Sequence, residues 1–201
     1  MVNSGVCEKN NRGPGRPRDE DVRRRILDAA ARLLEESGFA SATMEAIAEQ
    51  AGTSKSTMYR WWPNKAAVLI EAFRESMAVL LPFPRTGSLE ENIRQQLLQF
   101  ASVLRSRNGR RFAAVIAAAQ TDPEIAEAFR SMWLVPRRAE AKQVLERHRE
   151  TGELRADVDL DIAIEILYAP LYYRLLTGFG EITPERVEEL ARTALEGLRP
   201  R

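Results

Sequence analysis

The sequence predicts an all-α protein, with a three-helix N-terminal head followed by a larger C-terminal helical domain. Two observations carry this. Apolar residues recur at i, i+3 and i+4 along most of the chain, and no alternating stretch reads as a strand. Most of these runs are also bounded by residues that start or stop helices. Thr43, Ser88, Asp122 and Thr183 stand ahead of runs, and Gly38, Gly52, Gly152 and Gly178 stand behind them.

Length and composition bound the rest. A chain of 201 residues that is 44% hydrophobic has enough apolar material for one or two small domains. The net charge is only +1, so any attraction to nucleic acid must come from local placement of charge. No long apolar run suggests a membrane span, and the first ten residues lack the apolar core of a signal peptide. Cys7 is the only cysteine, which rules out an intrachain disulfide and a cysteine-rich metal site and fits a reducing cytoplasm. Its expected state is an exposed, inert thiol.

Residues 1–18 read as a flexible arm. From Lys9 to Arg18 there are four bases, Lys9, Arg12, Arg16 and Arg18, and no acid, and Pro17 stiffens an extended G-R-P-R segment. Arg16 and Arg18 are candidates for insertion into a minor groove. The first helix runs from Asp19 to Ser37, with Val22, Ile26, Ala29, Ala30, Leu33 and Leu34 as its buried stripe and Arg23, Arg24 and Arg25 on a solvated face.

Residues 43–65 form the stretch with the clearest meaning. Thr43 caps a helix whose apolar stripe is Met44, Ile47, Ala48 and Ala51. Gly52 ends it in a left-handed cap, and Thr53 or Ser54 caps a second short helix that ends near Trp62, ahead of Pro63. Met58, Trp61 and Trp62 share the inner side of that helix, whereas Lys55, Ser56, Tyr59 and Arg60 share the outer side. This is the layout of a helix-turn-helix, and a donor-rich outer face without an acid suits the major groove of DNA. Lys55, Ser56, Thr57 and Arg60 are expected to face the groove. Asn64 caps a fourth helix reaching about Leu80, which links the head (19–66) to the remainder (67–201).

Three segments together resemble the DNA-binding head of the TetR family of bacterial transcriptional repressors. They are I-L-D-A-A-A-R-L-L-E-E-S-G-F at 26–39, T-M-E-A-I-A-E-Q-A-G-T-S-K-S-T-M-Y at 43–59 and W-P-N-K-A-A-V-L at 62–69. The resemblance implies that Thr43, Tyr59 and Lys65 grip phosphates. Ser56 and Trp61 depart from the residues most common at those positions in the family, glycine and histidine, which bears on base preference. The second domain also resembles one C-terminal variety within the family, through L-V-P-R-R-A-E-A-K and G-E-L-R-A-D-V-D.

Beyond a loop at 81–87 the chain reads as helices. Ser88 and Glu91 form a capping box. Asn108-Gly109 is expected to break the chain, a short helix covers about 110–120, and Pro136 is expected to kink or split the helix opened by Asp122-Pro123. A long apolar helix begins at Asp157 or Asp159, and Thr183-Pro184 opens the last one. The last two helices hold more apolar surface than a monomer buries at its edge. Ile166, Tyr173, Val187, Leu190, Ala191, Ala194, Leu195 and Leu198 are therefore candidates for a homodimer interface built as a four-helix bundle. A dimer reads a palindromic operator on double-stranded DNA, with half-sites about 34–36 Å apart or a multiple of that.

The family resemblance further implies a pocket for a small-molecule effector, identity open, whose binding releases the DNA. Candidate walls are Phe100, Phe112, Met132, Trp133, Tyr168 and Tyr172, with Arg137, Arg138 and Glu165 as polar anchors. An enzyme is the rival class. His148, the only histidine, reads as a helix-surface residue, and no metal spacing, phosphate loop or nucleophile motif occurs, so neither metal nor cofactor is expected. A helical ligand-binding or scaffolding bundle without DNA is the remaining alternative.

Overall fold

The computed structural model describes residues 16–200, apart from the side chains of residues 16–18 and 40. The helices are α1 (Arg16–Ser41), α2 (Met44–Ala51), α3 (Lys55–Tyr59), α4 (Lys65–Leu80), α5 (Leu89–Arg105), α6 (Arg107–Ala119), α7 (Pro123–Phe129), α8 (Val135–Glu150), α9 (Leu160–Thr177) and α10 (Pro184–Leu198). The described residues contain no strand.

Helix α1 begins earlier than expected and takes in Arg16–Arg18, which the sequence assigned to an extended arm. Proline belongs in a first helical turn, where its missing N–H would have no partner anyway, so Pro17 does not hold the segment extended. Residues 1–15 of the expected arm, Cys7 among them, lie outside the described residues. At the other end Gly38, at φ 73°, interrupts α1 and turns Phe39 into the core. The head packs α1 against α2 and α4 around Ile26, Ala29, Ile47, Met58, Val68 and Leu69, all fully buried. Arg23 is not a solvated side chain. It reaches across to Glu71 and Glu75 on α4.

In the second domain α5 packs against α6, α9 and α10, and α8 packs against α9. The break between α5 and α6 falls at Ser106, not at Asn108-Gly109. The Ser106 hydroxyl accepts from the Asn108 N–H at 3.1 Å, which starts α6 earlier. Gly109 lies inside the new helix, where a Cβ would fall 1.7 Å from the Leu104 carbonyl oxygen. Pro136 does not split its helix. A π-helical turn, Arg130–Leu134, precedes it, and the Val135 N–H bonds back to the Arg130 carbonyl. The wider turn joins α7 to α8.

Two further expectations are corrected. His148 is 5% exposed, not on a surface. Its Nε2 lies 2.8 Å from the Asn92 amide nitrogen and its Nδ1 2.9 Å from Glu153 Oε1, which ties the end of α8 to the start of α5. On α10, Val187, Ala191, Leu195 and Leu198 turn inward, because α10 lies along α5 within the same chain. They are core residues, not free surface. Leu190 and Ala194 remain half-buried.

Candidate nucleic-acid interface and an internal cavity

The head builds its outer face from local capping. The Thr43 hydroxyl accepts from the Ala46 N–H at 3.1 Å and opens α2. Gly52, at φ 63°, closes it in the left-handed conformation that a Cβ disfavours. The Thr53 N–H bonds to the Ala48 carbonyl at 2.9 Å, and Ser54 then caps α3 through the Thr57 N–H at 3.2 Å. The Ser54 hydroxyl also lies 2.8 Å from that of Ser56 and 3.0 Å from that of Thr57.

Helix α3 is anchored from inside by Met58 and, just past its end, by Trp62, at 0% and 2% exposure. It stops at Tyr59, sooner than the sequence suggested, and Trp61 lies half-buried in the turn that follows. The Trp62 indole N–H donates to Glu71 Oε2 at 2.5 Å. Outside stand Lys55, Ser56, Tyr59 and Arg60, all exposed, with Tyr59 at 54%. Thr53 and Thr57 are half-buried. Lys55 pairs with Glu45 of α2 at 2.5 Å, and that hydrogen bond holds the Glu45 carboxyl below its ordinary range. Lys65 begins α4 and leans its ammonium toward the Phe39 carbonyl at 3.4 Å. Arg25, exposed on α1, lies beside the Gly52 turn. The backbone of Arg16 and Arg18 is helical, and their side chains are outside the described residues.

The second domain holds a partly open cavity of about 200 Å³. Four expected walls line it: Phe100, Trp133, Tyr168 and Tyr172, joined by Arg137, Arg138 and Glu165. Phe112 does not. It is fully buried behind the cavity, in ring contact with Phe100, Trp133 and Tyr172. Met132 faces an open groove of about 890 Å³ on the other side of Trp133 and Arg137. Gln96 and Phe83 also line the cavity, and periodicity alone gave no sign of either.

Arg137 is the cavity's most constrained cation. Its guanidinium lies 3.9 Å from the centre of the Phe83 ring and 5.6 Å from that of Trp133. One nitrogen donates to Glu140 Oε2 at 2.9 Å. With its amide oriented to satisfy both neighbours, Gln96 accepts from Arg137 at 3.2 Å and donates to the Pro82 carbonyl at 3.0 Å. Burial pulls the Arg137 guanidinium below its ordinary value, with Glu140 opposing. Burial also pushes both phenols up, Tyr172 to about 12. Trp133 connects the cavity to the head, since its ring lies 5.2 Å from that of Phe73 on α4.

A helix-turn-helix head joined through a linking helix to a helical domain with its own cavity is the architecture of a DNA-binding transcriptional regulator. The chain belongs to the TetR family. Residues 26–72 match the model of the bacterial regulatory proteins of the tetR family, and residues 83–194 match that of the tetracyclin repressor-like C-terminal domain. The chain is 41% identical to the uncharacterized HTH-type transcriptional regulator YdeS of Bacillus subtilis, over 92% of this chain and 93% of that protein. It is 25% identical to the HTH-type transcriptional repressor AcnR of Corynebacterium diphtheriae, over 89% and 93% of the two chains. The crystal structure of the TetR family regulator SCO0332 superposes with a TM-score of 0.78 at 35% identity, over 90% of this chain and all of that one. No described helix is long and apolar enough to cross a membrane, and the described residues hold no cluster of three or more potential metal ligands.

Proposed function

We propose that the protein is a homodimeric repressor that holds a palindromic operator and leaves it when a small molecule occupies the cavity. The observation that carries the reading is the edge-on contact of Trp133, a cavity wall, with Phe73 of the helix that leads out of the DNA-binding head. A ligand that shifts Trp133 acts on α4 directly, and a coupling of roughly 1–3 kcal/mol changes operator affinity about 5- to 150-fold. Repression is the role named for AcnR.

An unpartnered face supports the dimer. Ile162, Ile166, Ala169, Tyr173 and Leu176 all lie exposed on one side of α9, at helical spacing. Leu190 and Ala194 are the half-buried apolar residues of α10. The earlier set therefore narrows to Ile166, Tyr173, Leu190 and Ala194. In this reading Tyr59, Thr43 and Lys65 hold phosphates, Lys55, Ser56, Thr57 and Arg60 read the groove, and Arg16 and Arg18 reach the minor groove. The protein works without a catalytic group, in the cytoplasm.

A mobility-shift assay on DNA upstream of the protein's own coding sequence, repeated with small molecules extracted from the purified protein, tests this. Retarded DNA that the extract releases is expected. Binding of extract without any DNA complex would favour a ligand-binding bundle.

A further inference from the structure

We propose that the cavity takes a small aromatic carboxylate, with its anionic end on the Arg137 guanidinium and its ring among Phe100, Trp133 and Tyr172. The inference rests on the effector reading above and narrows it to a chemical class.

Size comes first. An apolar cavity of about 150 Å³ accepts benzene. A pocket of about 200 Å³ therefore has room for one ring and a carboxylate. The walls suit a flat ring. Phe100 stands 5.8 Å from Tyr168 and 5.3 Å from Tyr172, in edge-on and tilted arrangements that leave ring faces and edges for another aromatic group.

Charge comes next. The lining has more donors than acceptors. The Gln96 carbonyl already receives Arg137, and one oxygen of the Glu165 carboxylate receives Arg138 at 3.2 Å. Arg137, Tyr168 and Tyr172 remain, and both phenols, protonated at neutral pH as any tyrosine is, can act as hydroxyl donors. Arg137 has one carboxylate partner, Glu140, which is 54% exposed and not part of the cavity wall. A guanidinium drawn out of water, with its only ion pair facing solvent, gains from a second carboxylate on its dry side. Phe83 packs on the guanidinium at 3.9 Å, and the N–H groups that Glu140 and Gln96 do not take are left as donors for an incoming carboxylate. A cationic ligand would meet the same guanidinium and be repelled.

Calorimetric titration of the full chain at pH 7 with benzoate, 3-phenylpropanoate, their two amides and benzylamine tests the proposal. At least one carboxylate is expected to bind about tenfold or more tightly than its amide, and benzylamine is expected not to bind. Arg137→Gln should erase the preference. Arg137→Lys, which keeps the charge, should preserve part of it and guards against a variant that merely unfolds. Amides binding as tightly as their acids, or benzylamine binding best, would overturn the anionic class while leaving the effector cavity standing. Binding by none of the five would overturn the single-ring ligand as well, and co-purified material would then decide the effector reading separately.

Discussion

Trp62 and Glu71 join the end of the helix-turn-helix to the linking helix, through an indole N–H that donates to Glu71 Oε2 at 2.5 Å. The second oxygen of the same carboxylate receives Arg23 from α1. One side chain thus orients three helices, and Trp62, at 2% exposure, sets how α3 sits on the head. Glu71→Ala leaves an indole N–H in the core without an acceptor and Arg23 with Glu75 alone. A destabilisation of about 1–3 kcal/mol is expected in urea unfolding. A loss below about 0.5 kcal/mol, the range of ordinary surface substitutions, would show that solvent replaces the carboxylate freely.

The outer face of α3 separates grip from reading. Tyr59 has a long reach, an exposed hydroxyl and no charge, so its removal should weaken all DNA sequences by a similar factor. Lys55 and Ser56 lie nearer the start of the helix, where base edges are met, so changes there should alter the order of preferred sequences. Glu45 restrains Lys55 before DNA arrives. Glu45→Gln should therefore raise affinity for unrelated DNA several-fold and steepen the salt dependence by roughly one. Competition titrations at several salt concentrations check all three. A Tyr59→Ala protein with unchanged affinity and a new base preference would contradict the division.

The head was largely legible because its signals are local. A cap at Thr43, a left-handed Gly52 and an inward Met58 each need only a few neighbouring residues to recognise. The cavity was legible by half. Aromatic residues at helical spacing announce burial, but which of two packed sides they face depends on partners far along the chain. Phe112 and Trp133 carry the same sequence signal, yet only Trp133 reaches the cavity. His148 shows the limit more sharply. R-H-R-E reads as a helix surface, and only the approach of Asn92, 56 residues away, makes the histidine a core residue. The complete stripe of α10 misled for the same reason, because a stripe shows that a face is covered and not which chain covers it.

Gly109 marks a place where close packing outweighs helix propensity. Alanine inside a helix is normally favoured over glycine by about 1 kcal/mol. Here the added Cβ would fall 1.7 Å from the Leu104 carbonyl oxygen, a backbone atom that cannot swing aside. Helices α5 and α6 would have to separate, at about 1–3 kcal/mol for overpacking. Gly109→Ala is expected to lower the melting temperature. An unchanged or higher value would mean that the α5–α6 corner is loose enough to yield.

The proposed dimer turns on which apolar residues stay outside one chain. Ile166 is 49% exposed and Tyr173 55%, on the same side of α9, whereas Val187 is 1% exposed against α5. Ile166→Glu should leave the protomer folded, because its side chain has little to lose there, yet put two like charges close to a two-fold axis. Sedimentation should then report a monomer with a native circular dichroism spectrum, and affinity for a palindromic site should drop toward that of a half-site. Val187→Glu should act in the opposite order. A carboxylate without a partner in the core is expected to cost several kcal/mol and unfold the domain before any question of association arises. An Ile166→Glu protein that remains a dimer would place the interface on another face, and that result would also leave the exposed stripe of α9 without a partner.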